Sequence, residues 1–259
     1  MLILVSGEGS TDIGKASGNY DLYAPGSWDP GPMAYFINSI IYNTLNFEPL
    51  DSMSMWFIPE VSLNSISRTL KPMTLGQNKE FRKAARVLLA SAVKLSQETN
   101  CEVLPILFRD ADGSRSQRSL GRWKEKHDSI AFCMDRKQEV MHVCPMLPNP
   151  KSEVWLLCAL KNNYQSCNQL EDISGNDNSP NSAKSILREC LGTEATQECL
   201  VELMKESVIR PEAINMPSFN AWKDDLSSMA MTNVKDRELP DQALRNLREI
   251  AASVRIGGM

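Results

Sequence analysis

Two apolar runs that lead into carboxylates constrain the fold of this sequence more than any other feature. Residues 2–5 lead into Glu8. Later in the chain, the run Val103–Phe108 leads into Asp110 and Asp112. A continuous apolar run of this kind is typical of a strand in a parallel sheet that is covered on both faces. Because ligands bind beyond the carboxyl ends of such strands, we expect the three acids to converge if the two strands are neighbours.

The remaining hydrophobic pattern alternates strands with helices. It predicts strands at 2–5, 52–58, Val103–Phe108 and 140–144. Helices are predicted at 33–45, 78–99, 119–130 and 151–161. This order predicts an α/β fold, a largely parallel sheet sandwiched by helices.

The C-terminal third is predicted to be helical. A polar segment at 162–182 precedes predicted helices at Ala183–Leu191, 194–206 and 241–254, and no strand of comparable quality follows residue 144. We therefore predict an α/β core over 1–162 and a helical extension over 163–259 that packs on it, with a single domain left open. Residues 14–32, rich in Gly and Pro, predict a long loop beside the site, either a lid or a surface excursion.

Composition narrows the chemistry. With two histidines among 259 residues, carboxylates are the more plausible catalytic groups. The net charge of −4 argues against non-specific nucleic-acid binding by the whole surface. Seven cysteines without CxxC or Cys/His spacing are typical of the reducing cytoplasm, where we expect them to be small core residues. No apolar run is long enough for a membrane span, and the N-terminal run is too short for a signal peptide.

Converging carboxylates repel one another unless a divalent cation neutralises them. Mg²⁺ (or Mn²⁺) is the natural candidate because it prefers oxygen ligands and activates water against a phosphodiester. Residues 109–126 carry six basic residues against three acids, a local charge of +3 that favours an anionic substrate. The alternative for this run is a solvated helix face with a few ion pairs.

These motifs resemble a known family. The turn Glu8-Gly9-x-Thr11-Asp12 after an N-terminal strand, with Asp110-x-Asp112 closing a later strand, is similar to the Toprim fold of topoisomerases, primases and OLD-family nucleases. The segment Pro148-x-Pro150-Lys151-x-Glu153-x-Trp155-Leu156-Leu157 resembles a small Toprim-like family that is often encoded beside ATPases in prokaryotic defence islands. Lys184 and the run Met216-Pro217-Ser218-Phe219 are similar to the C-terminal pattern of that family.

The resemblance implies a metal-dependent nuclease and a set of site residues. It implies Glu8, Asp110 and Asp112 as catalytic residues that bind Mg²⁺. Asp12 and Glu153 are further candidate ligands, although a helix N-terminal acid favoured by the helix dipole explains Glu153 equally well. The candidate substrate-binding residues are Arg109, Arg115, Arg118, Lys151 and Lys184. The implied partners are nucleic acid and an ABC- or AAA-type ATPase, with the oligomeric state left open.

Three other functions stay open at this point. The stretch from Gly9 to Ala16 nearly matches the P-loop pattern of NTPases, but Ala16 replaces the hydroxyl that should bind Mg²⁺. A phosphotransferase would use Asp110 as its nucleophile, with Lys151 or Lys184 downstream. A non-catalytic interaction module would use the acids only as loop caps.

Overall fold

A six-stranded sheet organises the structure, a computed structural model that describes residues 1–9, 11–70, 78–111, 120–134, 140–160, 167–232, 239 and 241–257. Its strands are β1 (Leu2–Gly7), β3 (Leu22–Tyr23), β5 (Met55–Pro59), β6 (Val103–Phe108), β7 (Cys144–Met146) and β8 (Ile256–Gly257). They lie in the order β7-β6-β1-β5-β3-β8, and β2 (Gly14–Lys15) pairs with β4 (Asp29–Pro30) in a separate ribbon. Only the β3–β5 pair is antiparallel within the large sheet. The predicted α/β fold with a largely parallel sheet is confirmed.

Helices cover both faces of the sheet. They are α1 (Pro32–Leu45), α2 (Glu60–Thr69), α3 (Lys79–Thr99), α4 (Leu120–Ala131), α5 (Ser152–Leu160), α6 (Ala183–Leu191), α7 (Gln197–Lys205), α8 (Pro217–Met231) and α9 (Asp241–Ala251). Side chains of α1, α5 and α8 share one hydrophobic cluster with Ile3 and Val5 of β1. Those of α2, α3 and α9 share a second cluster with Leu4 of the same strand. Successive β1 residues thus enter opposite cores, which explains the uninterrupted apolar run.

The strand boundaries differ from the prediction. The strand expected at 52–58 begins only at Met55, because the residues before it form a turn. The alternation of apolar and polar residues suggested one exposed face, but both faces of β5 are buried. The strand expected at 140–144 is β7, which begins at Cys144 and includes Pro145. Pro145 is tolerated there because β7 is an edge strand of the sheet.

Two short strands of the large sheet lie outside the predicted strands. β3 arises inside the predicted loop, and β8 lies beyond the predicted last strand, where the two pair in parallel. Two-residue strands carry no hydrophobic period, so the sequence pattern could not indicate them. The ribbon of β2 and β4 is anchored by Gln197, whose Nε2 donates to the carbonyls of Asp29 and Pro30.

Two helices and one covalent bond were not predicted. α2 and α8 follow Pro59 and Met216 directly, and α8 begins with Pro217 in its first turn. Cys158 and Cys167 are buried core residues, as expected, and they also form a disulfide. The bond ties α5 to a 3₁₀ helix at Cys167–Asp172. The expectation of core cysteines is wrong for Cys190, which is exposed.

The C-terminal helices contact the sheet layers directly. α8 packs against α1 and β7, and α9 packs along α3. The division at residue 162 stays a prediction. In the described part of the chain, every helix is too short or too polar to cross a membrane.

Candidate active site

The candidate site lies where β1 and β6 end side by side. The two strands are parallel neighbours, with Gly7 in register with Phe108. Beyond them, the Glu8 backbone N–H donates to the Phe108 carbonyl over 3.3 Å. A Cβ atom on Gly7 would come within 2.7 Å of the Phe108 side chain, so glycine permits this close approach. The two strands that lead into the acids are therefore neighbours, as convergence of the acids requires.

A tight turn brings Asp12 back over the end of β1. Gly9 has a φ of +78°, a backbone conformation that glycine adopts without strain. The Asp12 N–H donates to the Gly9 carbonyl over 3.3 Å, and the Asp12 carbonyl accepts from Met33 N at the start of α1 over 2.9 Å. The turn thus joins the end of β1 to the beginning of α1 and fixes the position of the Asp12 side chain.

Ser152, the first residue of α5, joins Asp12 to Asp110. Its hydroxyl donates to Asp12 Oδ1 over 2.5 Å, and its backbone N–H donates to Asp110 Oδ1 over 3.0 Å. Ser152 is 1% exposed. One buried residue therefore holds carboxylates that follow two different strands, and both acids lie at the N-terminus of α5, where the helix dipole favours negative charge.

Two of the acids around Ser152 have raised pKa values. Burial raises the pKa of Asp12 to about 6, with hydrogen bonds from Ser152 and Thr11 opposing the rise and the charges of Glu153 and Glu8 adding to it. Burial also raises the pKa of Glu153, against its own backbone hydrogen bond and the charge of Lys151. These shifts mark a partly buried cluster of acids at the start of α5.

Glu153 adds an oxygen that the described residues do not satisfy. Its Oε2 atom is buried and has no hydrogen-bond partner among them. A buried carboxylate oxygen without a donor is costly, and a cation is one group that would compensate it. The acids of this cluster offer only oxygen donors, which fits the preference of Mg²⁺ or Mn²⁺.

Arg109 belongs to a different part of the site. Its Nη1 atom lies 2.7 Å from Glu60 Oε1 and 3.7 Å from Glu8 Oε2, and Nη2 lies 3.5 Å from Asn64 Oδ1. The Arg109 side chain is 12% exposed, whereas that of Glu8 is 45% exposed. Arg109 therefore pairs with Glu8, just after β1, and with Glu60 of α2, so its charge is already engaged within the protein.

The other two described candidate cations lie near Glu153. Lys151 Nζ forms an ion pair with Asp177 Oδ1 over 2.9 Å, and the exposed Lys184 lies close enough for its charge to lower the pKa of Glu153. Both lysines thus act on the charge of Glu153. Lys184 is exposed and suits contact with an anion from solvent, whereas the Lys151 side chain is 14% exposed and already pairs with Asp177.

Three predicted residues lie outside the described part of the chain, namely Asp112, Arg115 and Arg118. Within residues 1–9, 11–70, 78–111, 120–134, 140–160, 167–232, 239 and 241–257, no group of three or more His, Cys, Asp or Glu side chains is arranged to hold a metal ion. The structure brings Asp12 and Asp110 together through Ser152 and keeps Glu8 beside Arg109.

Lys15 has a local structure unlike that of a P-loop lysine. Gly14 and Lys15 form the short strand β2, and the next helix begins at Pro32. Lys15 Nζ forms an ion pair with Glu198 over 2.9 Å. A P-loop lysine instead precedes a helix whose N-terminus binds phosphate, so this segment lacks the expected geometry.

Sequence reasoning missed Ser152 and Glu60 as site residues. Ser152 had a weak signal, since it stands between Lys151 and Glu153 at a predicted helix start, where serine is favoured. Glu60 had none, because its helix was not predicted. Both act through partners far away in the chain.

Comparisons with known proteins add no relative: no family model matches the sequence, and no curated protein or solved structure is significantly similar to it.

Proposed function

We propose that the protein is a Mg²⁺-dependent, Toprim-like nuclease that hydrolyses nucleic-acid phosphodiesters. The observation that carries this proposal is the pair Asp12 and Asp110, presented by neighbouring parallel strands and joined through Ser152. Beside this pair stands Glu153, whose buried Oε2 atom lacks a partner among the described residues. Oxygen donors gathered at the carboxyl end of a parallel sheet suit a divalent cation and a phosphate ester.

Asp12 and Asp110 would hold the metal. A third ligand would come from Asp112, from Glu153, or from Glu8 after a side-chain rotation. When bound, Mg²⁺ would supply polarisation of a phosphoryl oxygen and activation of water. Lys151 and Lys184 would contact the phosphate backbone, and Arg109 would keep Glu8 oriented.

The cellular role follows from the resemblance to small Toprim-like proteins. In that setting the nuclease acts in the cytoplasm as the effector of an anti-phage defence complex, with an ABC- or AAA-type ATPase as partner. The Cys158–Cys167 disulfide is compatible with this location only if burial protects it from reductants, and both cysteines are buried.

The proposal is tested by cleavage assays on supercoiled plasmid, linear DNA and RNA with Mg²⁺ or Mn²⁺. We expect the wild type to cut at least one substrate and the isosteric variants Asp12→Asn and Asp110→Asn to lose activity by about 100-fold or more, as expected for charge-stabilising catalytic groups. Asp21→Asn is the matched control because Asp21 pairs with Arg255 instead. Activity that survives both site substitutions would contradict the assignment. If no substrate is cut, an interaction module is favoured instead.

A further inference from the structure

We propose that Ser152 is a positioning residue that aligns the Asp12 and Asp110 carboxylates for one divalent cation. The inference rests on the proposed metal site. It assigns a role to a residue of α5 that belongs to neither of the two strands that lead into the acids. Ser152 is buried and donates to both acids, through two different atoms. Each acid accepts one hydrogen bond from Ser152 at its Oδ1 atom, so a single residue links the positions of the two carboxylates.

The rigidity of α5 makes Ser152 suited to this role. Val154 and Trp155, which follow in the same helix, are fully buried. Trp155 Nε1 donates to Ser218 Oγ over 2.9 Å, and the Trp155 ring stacks on Trp222 with centroids 5.4 Å apart. These contacts tie the first turn of α5 to the core, which favours a defined position of the Ser152 donors relative to β1 and β6.

The hydroxyl and the amide of Ser152 act on acids from different segments. The hydrogen bond from the Ser152 backbone N–H to Asp110 caps the helix. The first N–H groups of any helix need such an acceptor. The hydroxyl bond to Asp12 is not a capping bond, since it spans 140 residues and reaches the turn after β1. This second bond is the one that couples the two acids, so removing only the hydroxyl separates positioning from capping.

Ser218 provides a matched control. It is also a buried serine, 3% exposed, and its hydroxyl also bonds a residue of α5, but that residue is Trp155 rather than an acid. Ser152→Ala and Ser218→Ala thus each remove one buried hydroxyl and one hydrogen bond of α5. General destabilisation of α5 should affect both variants, whereas loss of carboxylate alignment should affect only Ser152→Ala.

The test measures Mn²⁺ affinity by calorimetric titration of the full chain, well below the unfolding temperature of each variant. We expect Ser152→Ala to weaken Mn²⁺ binding about 10- to 100-fold, the usual effect of removing a group that orients a metal ligand. Ser218→Ala should stay within about twofold of the wild type, because the change lies away from the acids. Ser152→Thr, which restores the hydroxyl, should recover most of the affinity.

Three results would overturn the role of Ser152. Unchanged affinity in Ser152→Ala, with the wild type binding Mn²⁺, overturns positioning but leaves the metal site intact. Equal weakening in Ser152→Ala and Ser218→Ala reduces the effect to stability of α5. Absence of Mn²⁺ binding by the wild type overturns the proposed metal site and the role of Ser152 together.

Discussion

Two aspartates of this protein occupy opposite electrostatic environments. Asp12, at the end of β1, accepts hydrogen bonds from the neutral hydroxyls of Ser152 and Thr11, beside the acids Glu153 and Glu8. Asp21, just before β3, accepts from three nitrogen atoms of Arg255 over 2.9, 3.1 and 3.4 Å. One acid is surrounded by other acids, and the other has a cation of its own.

The pKa values reflect this difference. Burial raises the pKa of Asp12 to about 6 despite its hydrogen bonds. Burial acts in the same direction on Asp21, but the hydrogen bonds and charge of Arg255 outweigh it and lower the pKa. Asp21 and Arg255 lie directly before the paired strands β3 and β8, and their charges compensate each other within the protein. Carboxylates left without an internal cation, as at Asp12, are expected where a cation from solution is to bind.

Asp12→Asn should produce the largest stability change. The asparagine carbonyl keeps the hydrogen bond from Ser152, and the ionised carboxylate disappears. In metal-free buffer at pH 8, we expect the free energy of unfolding to rise by up to about 3 kcal/mol, since each pKa unit between 3.8 and about 6 corresponds to about 1.36 kcal/mol. Chemical denaturation in the presence of EDTA measures this change in the free energy of unfolding.

The pH dependence of the stability difference between the wild type and Asp12→Asn tests whether the ionised Asp12 carboxylate causes it. The folded-state pKa of Asp12 is raised, so its penalty is absent below about pH 4, where both states are protonated. The penalty grows as the pH rises from about 4 to about 6, and it is constant above that. The wild type should therefore lose stability relative to Asp12→Asn across this window. A gain in Asp12→Asn that is equally large at pH 3.5 would contradict the electrostatic origin.

Asp21→Asn should have a smaller effect of opposite sign. The substitution removes the charge that Arg255 binds, and it leaves a buried position without a matched partner, since Asp21 is 7% exposed. Arg255 is 68% exposed, so solvent screens the pair and the expected loss is about 1 kcal/mol. The same denaturation experiment measures it. Stabilisation by Asp21→Asn would show that the two aspartates do not differ as proposed.

The long apolar runs made the core of the fold predictable. Val103–Phe108 and the run at β1 indicated buried parallel strands, and the strong helical period of α3 placed that helix within one residue of its observed start. The acids at the strand ends then indicated one edge of the sheet as the site. These features depend on local sequence, which is why a sequence pattern carries them.

The pairing of individual side chains was not predictable. Ser152 meets Asp12 across 140 residues, and Arg255 meets Asp21 across 234 residues. The sequence placed Arg109 at the site but gave no sign that Glu60 of α2 engages it. Such contacts depend on how helices pack, and neither composition nor period encodes that. They nevertheless decide which acids are compensated within the protein and which are not.

Mg²⁺ titration followed by thermal unfolding is the most direct measurement of whether Asp12 and Asp110 hold a divalent cation. Ligand at 100 times its dissociation constant stabilises the folded state by about 2.7 kcal/mol. We expect Mg²⁺ to raise the melting temperature of the wild type and of Asp21→Asn equally, and to leave Asp12→Asn and Asp110→Asn nearly unchanged. An equal Mg²⁺ shift in all four proteins, or no shift in the wild type, would contradict a metal site between β1 and β6.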